Sequence, residues 1–255
     1  MLIILSPAKT MGNNIKLPKT LNYTSPEHIA KSEELISLLK KYTVNDLGTL
    51  MKINPKLAQL NYERFQSWGL PFTIKNSYPA IFSYFGEVYN GLNPKTFTVE
   101  ELAYAQIHLR ILSGLYGVEK PLDLIQPYRL EMGLKIPLDK YKDLYTFWKD
   151  NITNSIKEAL KQQGDNILIN LASNEYYKAI KKSEQEIKVI NPVFKEFKNG
   201  KAKIVTMYAK KARGMMARYI IKNKLKAPEH LKTFEEDGYY YNEALSQEET
   251  IVFTR

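Results

Sequence analysis

The chain has 255 residues, with 37 Lys and Arg against 27 Asp and Glu and a formal net charge of +10. Its composition, 44% hydrophobic and 12% aromatic, excludes a disordered chain and suffices for one large core. It has no cysteine, which excludes disulfides, thiol nucleophiles, iron–sulfur clusters and cysteine-ligated zinc, and is in keeping with a reducing compartment.

Met1–Leu5 is all apolar and reads as a strand covered on both faces. It is too short and lacks the basic residues for a secretory signal, and no stretch approaches the ~20 apolar residues of a membrane span. A soluble cytoplasmic protein is expected. Ser6–Thr10 (SPAKT) follows as a loop. Ser25-Pro26 is a cap and first-turn pair opening a helix to about Lys41. Residues 43–66 read as two short helices, with Asn54 capping the second and Pro55 opening it. A short helix is expected within the stretch from Gly86 to Gly91. Val99–Leu109 is a strand or a helix, the apolar run being too short to fix its period. Ile111–Val118 combines a strand end and a loop, and Pro121–Gly133 is an extended loop. Leu144–Gln162 is one amphipathic helix ended by Gly164. Asn166–Leu171 is a second buried strand, with a short helix opening at Ala172–Tyr177. Glu186–Phe197 and Lys201–Tyr208 read as strands joined at Asn199-Gly200. Ala209–Lys224 is a helix, Leu231–Tyr241 a helix or loop, and Thr250–Phe253 a closing strand. Strands and helices interleave throughout. The expectation is a mixed α/β fold in a single domain, residues 1–255, with a central mixed sheet, surrounding helices and a helix-hairpin-helix-like element at 43–66.

The positive charge is unevenly placed. Residues 197–228 carry ten Lys or Arg and no acid. A segment of this kind attracts an anionic partner or forms a solvated face. On the helix within it, Lys211, Arg218 and Lys222 share a narrow arc, flanked by Lys210 and Arg213, while Ala212, Met216, Tyr219 and Ile220 face inward. Such a row can grip successive phosphates. Gly214 costs about 1 kcal/mol in a helix interior. It marks a close approach by a ligand or a neighbouring backbone. Lys52 and Lys56 bracket the turn between the two short helices, where backbone N–H groups and lysines can meet phosphate.

Loops beyond strand ends are the usual ligand sites of α/β proteins. Ser6 and Lys9 lie beyond the first strand. Asn170, Ser173 and Asn174 lie at the equivalent junction after the second, where Ser173 or Asn174 can also serve as a cap. With Lys210 and Arg213 as a clamp, these residues outline the pocket of an enzyme acting on a nucleotide, nucleobase or phosphorylated metabolite near Lys9, the alternative to a nucleic-acid-binding protein. The SPAKT loop lacks the glycines of a phosphate-cradling loop. Arg110, Tyr128, Arg129 and Glu131 sit in Gly- and Pro-rich surroundings, and the arginines need either an internal carboxylate, Glu131 or Asp123, or an external phosphate. His28, His108 and His230 have no metal-ligand spacing, His28 reads as a surface residue, and no catalytic motif is present. No metal, cofactor or catalytic residue is expected.

Met1–Thr10 (MLIILSPAKT), Leu112–Val118 (LSGLYGV), Pro121–Gly133 (PLDLIQPYRLEMG), Asn170–Tyr176 (NLASNEY) and Tyr208–Gly214 (YAKKARG) together resemble the YaaA family, in order and along the whole chain. The resemblance implies a bacterial protein induced by hydrogen peroxide that lowers free iron and limits oxidative DNA damage. It implies an unusual α/β fold with a positively charged cleft and a helix-hairpin-helix element, and binding to duplex DNA, distorted or branched forms included. The hairpin maps to 43–66, where Ile53-Asn54-Pro55 stands in place of the apolar–Gly–apolar turn usual in helix-hairpin-helix modules. The expected DNA contacts are Lys9, Lys52, Lys56, Arg129, Lys210, Lys211, Arg213, Arg218 and Lys222, with selectivity for DNA shape rather than base sequence. With no cysteine and three histidines, an effect on iron is expected to be indirect.

Overall fold

The computed structural model describes residues 1–12, 21–138, 140–180, 187–198 and 200–255. Eight described strands form the central sheet: β1 (Leu2–Leu5), β2 (Leu109–Ser113), β3 (Gly117–Glu119), β4 (Ile167–Asn170), β5 (Lys188–Lys198), β6 (Lys201–Lys203), β7 (Tyr240–Tyr241) and β8 (Thr250–Thr254). Their order is β7-β8-β5-β4-β1-β2-β3, with β6 paired to β5. The interior is parallel: β1 pairs with β2 (Ile3 beside Leu109) and with β4 (Ile4 beside Asn170), β4 with β5, and β5 with β8. The antiparallel strands β3 and β7 close the two edges. Leu2, Ile3, Ile4 and Leu5 have no exposed surface, as a strand flanked on both edges and covered on both faces demands.

The helices include α1 (Ile29–Leu39), α2 (Val44–Met51), α3 (Pro55–Ser67), α4 (Glu87–Leu92), α5 (Val99–His108), α6 (Leu144–Trp148), α7 (Asp150–Gln163), α8 (Asn174–Tyr177) and α9 (Thr206–Asn223), with a further helical turn at Ala80–Ser83. Local signals fix many of their starts. Thr43 and Asp46 form a capping box on α2, and Asn54 caps α3 with Pro55 in its first turn. Thr98 and Glu101 form a second capping box, which settles Val99–His108 as helix. The expected start at Ser25-Pro26 is displaced, since α1 begins at Ile29 behind His28, which makes no side-chain cap.

Two expectations are corrected by distant contacts. The single helix over 144–162 is broken at Lys149, whose φ is 41°. Trp148, fully buried, donates its indole N–H to the Gly114 carbonyl at 2.9 Å. The kink lets Phe147 and Trp148 bury on one side while Ile152, Ile156 and Leu160 bury along α7. The strand expected over 201–208 stops at Lys203, opposite Glu196, and α9 starts at Thr206, so β-branched Ile204 and Val205 are left exposed. Glu186 and Asn199, which belonged to that reading, lie outside the described residues. Leu231–Tyr241 resolves into a 3₁₀ helix at Pro228–Thr233, a loop and strand β7.

The closest helix crossing joins α4 to α9 at two glycines. A Cβ on Gly214 would lie 1.8 Å from the Val88 carbonyl oxygen, and one on Gly91 would lie 2.0 Å from that of Lys211. Gly214 therefore marks a neighbouring backbone. This crossing presses α9 against the loop region beyond β1 and sets where its basic side chains point.

Candidate functional site

The chain leaves β1 for β2 on one side and later returns to β4 on the other. The crevice between the C-terminal ends of β1 and β4 is thus a topological switch point, the place where open α/β sheets bind ligands. Leu171 extends the junction by donating its N–H to the Ile4 carbonyl at 3.1 Å. Ser6 Oγ bridges it, accepting the Ser173 N–H at 2.8 Å and lying 3.3 Å from Ser173 Oγ. A half-open cavity of about 400 Å³ sits above these ends.

Five segments wall the cavity. Ser6–Thr10 and Leu171, Ser173, Glu175 and Tyr176 form its base. Phe85–Val88 and Tyr128–Glu131 form two sides, and Lys210 and Arg213 enter from α9. Gly86, with φ of 151°, sits on one wall with its missing Cβ turned toward Ala8. Glu131 Oε1 holds two cations, Lys9 Nζ at 3.0 Å and Arg129 Nη2 at 3.1 Å. Arg129 Nε and Glu131 Oε2 are buried with no partner among the described residues. Glu175 Oε1 accepts the Gly133 N–H at 2.9 Å, which holds the Tyr128–Glu131 wall against α8.

Arg213 is the cation most open to use. It lines the cavity, and burial pulls its guanidinium below the usual range. No ion pair or side-chain hydrogen bond offsets this among the described residues. Charge of this kind beside an open cavity has the chemistry to receive an anion.

The residues singled out from the sequence have different fates. Ser6, Lys9, Arg129, Ser173, Lys210 and Arg213 all line the cavity. Asn170 and Asn174 do not. Asn170 instead shapes the junction, bonding Asn191 at 2.9 Å and the Ala172 N–H at 3.1 Å. Three basic residues of α9 are engaged elsewhere. Arg218 reaches the Asn93 carbonyl at 3.2 Å and lies over the Phe97 ring, Lys222 pairs with Glu101 at 3.0 Å, and Lys211 pairs with Asp237 at 3.3 Å. Lys52 and Lys56 are exposed on the α2–α3 hairpin. Arg110 finds no carboxylate at bonding distance among the described residues and does not line the cavity. It donates to the carbonyls of Gln106, Ile107 and Leu109, closing the end of α5. His28 is not a surface residue: its ring sits against Ser155 Oγ at 2.8 Å, and burial lowers its pKa.

Sequence reasoning missed Glu119, which has no exposed surface. Both of its oxygens meet the Tyr84 hydroxyl, at 2.9 and 3.0 Å. Burial pushes its carboxyl up to about 8. The signal was an acid next to Val118 in an otherwise apolar hairpin, which periodicity does not flag. Phe85 and Tyr176 were also missed as cavity walls.

The comparisons with known proteins agree along the chain. The family described as peroxide stress protein YaaA matches residues 1–245. A UPF0246 protein of Saccharophagus degradans is 51% identical over 255 residues, covering 100% of this chain and 99% of that protein. A UPF0246 protein of Aliivibrio fischeri is 49% identical over 255 residues, covering 100% and 98%. The fold expected from the resemblance, a mixed α/β sheet with surrounding helices, is the one observed, and the chain belongs to the YaaA peroxide-stress family.

Proposed function

We propose that this peroxide-stress protein acts by binding a phosphate-bearing ligand of nucleotide size in the switch-point cavity. The observation that carries the reading is Arg213, a partly buried guanidinium without a partner among the described residues, facing a cavity of about 400 Å³. Lys210 and Lys9 add charge at the same opening, and Phe85 offers an apolar ring for a base. Ser6 and Ser173 supply hydroxyls.

A second reading has its own support. Lys52 and Lys56 are exposed on a capped helical hairpin, so DNA, distorted or branched forms in particular, can run from the hairpin to the cavity mouth along Lys9, Arg129, Lys210 and Arg213. Lys211, Arg218 and Lys222 join that surface only where DNA phosphate replaces their internal partners. In both readings the protein works in the cytoplasm; no described helix is long and apolar enough to cross a membrane. The effect on free iron is indirect, and the described residues contain no group of three or more His, Asp or Glu placed to hold a metal.

The test is titration of the protein with AMP and inorganic phosphate by calorimetry, and with matched duplex, bubble and branched DNA by fluorescence anisotropy over a salt series. Saturable AMP binding that is lost in Arg213→Ala supports the cavity reading. DNA binding that AMP does not displace, weakened by Lys52→Ala and Lys56→Ala, supports the second. Absence of AMP and phosphate binding overturns the first.

A further inference from the structure

Strand β5 outruns its neighbours at the end of the sheet where the cavity lies. β4 pairs with it as far as Ile190 and β8 as far as Lys195, after which the Arg255 carbonyl accepts the Phe197 N–H at 2.8 Å. Beyond that point its partner among the described strands is β6 alone, with Ala202 beside Phe197 and Lys201 beside Lys198. The β5–β6 ribbon and the start of α9 thus form a tip that projects from the sheet. β1, β4 and β5 run parallel, so tip and cavity share one end of the sheet. Lys210, one turn along α9 from Met207, lines the cavity.

The tip holds apolar side chains in water. Ile204 is 57% exposed, Val205 38%, Met207 56% and Phe197 54%. Single exposed apolar side chains are ordinary, but Ile204, Val205 and Met207 fall within four positions and make a patch, which marks a contact surface. From Phe197 to Lys210 the chain carries four lysines and no acid. Lys201, Lys203 and Lys210 are exposed and make no ion pair among the described residues. Glu196, opposite Lys203 in the ladder, is held by Arg255 at 2.8 Å, and Arg255 holds Asp237 at the same distance.

We propose that this tip docks the protein on an anionic bilayer, with the aliphatic side chains entering the headgroup layer and the lysines meeting lipid phosphates. A projecting tip suits a broad surface better than a groove. Ile204, Val205 and Met207 ask for an apolar medium with no shape of its own, and the charge around them asks for a negative one. Nucleic acid fits less well. Its bases stack on successive aromatic rings, whereas Arg255 already lies over the Tyr208 ring at 4.7 Å, leaving Phe197. Lysine stems can lie along the apolar layer while their ammonium groups stay among the phosphates. Apolar insertion and attraction to anionic lipid add, and a patch of this size needs both. The attachment is reversible and depends on lipid charge. It turns the end of the sheet that bears the cavity toward the membrane, and it holds whatever the cavity binds.

The test is sedimentation of the full chain at physiological salt with vesicles of phosphatidylcholine alone and of equal parts phosphatidylcholine and phosphatidylglycerol. Binding to the anionic vesicles is expected to be at least about tenfold tighter than to the neutral ones and to weaken as salt rises. Ile204→Ser with Met207→Ser should weaken it about tenfold, and Lys201→Ala with Lys203→Ala about as much. All four side chains are exposed, so melting of both proteins should match wild type. AMP titration reads the cavity separately, and its failure leaves the vesicle result standing. No sedimentation with anionic vesicles, equal binding to both kinds, or binding that survives both pairs of substitutions overturns the proposal. Binding of duplex DNA but not of vesicles, abolished by both pairs, overturns it too and assigns the tip to nucleic acid.

Discussion

Arg213 and Arg218 lie on one helix, five positions apart, and behave as opposites. Arg218 spends its guanidinium on the carbonyl of Asn93 and the face of Phe97, and so ties α9 to the end of α4. Arg213 faces the cavity with no such partner among the described residues. One is part of the scaffold and the other is what the scaffold presents. A helical wheel puts both on a basic surface, because charge and period are all it contains. What separates them is the α4–α9 crossing, which brings the end of α4 within reach of Arg218 and leaves Arg213 at the cavity.

The crossing is therefore the place to break the contrast outright. Gly214→Val would set a side chain 1.8 Å from the Val88 carbonyl oxygen and 2.7 Å from the Leu92 N–H. Backbone cannot yield as a flexible side chain does, so the loss should exceed about 4 kcal/mol. The expected outcome is a protein that fails to fold or melts far lower in calorimetry. A soluble variant with wild-type melting would mean that the helices do not meet at this pair.

The sealed and open carboxyls repeat the contrast. Glu131 is shared between Lys9 and Arg129 at the cavity, while Glu119 is fully buried against the Tyr84 hydroxyl. For Glu119 the folded pKa of about 8 stands above the ordinary carboxyl value of 4.5. Below 4.5 both folded and unfolded chains hold the proton. Between 4.5 and about 8 the unfolded chain has lost it and the folded chain has not, so this group makes stability fall as pH rises and level off above about 8. The fall corresponds to on the order of 4 kcal/mol. Asp123, raised by burial to about 6, adds to it over the lower part of the range. Denaturant melts of Glu119→Gln against wild type should show most of the slope between pH 6 and 8 removed, roughly the span the carboxyl covers. An unchanged slope would show that Glu119 is already ionised in the fold.

The two arginines can then be exchanged in effect. Arg213→Ala should weaken AMP by tenfold or more, about 1.5–3 kcal/mol for charge-assisted hydrogen bonds, with melting nearly unchanged. Arg218→Ala should do the reverse, costing about 1–3 kcal/mol of stability while the affinity holds. Calorimetry of binding and of unfolding on the same two proteins reads both. Should both variants lose affinity equally, the distinction drawn at the crossing fails.

What could be read along the chain follows the same division between local and distant causes. Thr43-x-x-Asp46, Asn54-Pro55 and the Gly164 end of α7 are legible because each cap is made by neighbours within a few residues. Ser6, Lys9 and Ser173 were found because strand ends in an α/β pattern imply a crevice, although nothing local says that β1 and β4 are adjacent. The break at Lys149 was not legible, since it depends on Trp148 reaching Gly114. Nor was the role of Arg110, whose acceptors are the carbonyls of a helix that the sequence left undecided. Glu119 stayed hidden because its partner, Tyr84, comes from a segment 35 residues away that only folding brings beside it.

Lys211 tests the comparison at its weakest point. It shares the basic arc with Arg218, yet its partner Asp237 is 3.3 Å away and both side chains are about two-fifths exposed. Asp237 also receives Arg255 Nη1 at 2.8 Å, so removal of the lysine leaves the aspartate paired. An exposed ion pair whose acid keeps another cation contributes little, and Lys211→Ala should change stability by no more than about 0.5 kcal/mol. Lys211 is outside the cavity wall, so AMP affinity should also hold. DNA is the ligand that can tell: if duplex DNA draws Lys211 from Asp237, Lys211→Ala will lower the salt dependence of DNA binding by about one phosphate contact. An unchanged salt slope would assign Lys211 to the scaffold with Arg218, and would confine the anion-binding cations of α9 to Lys210 and Arg213.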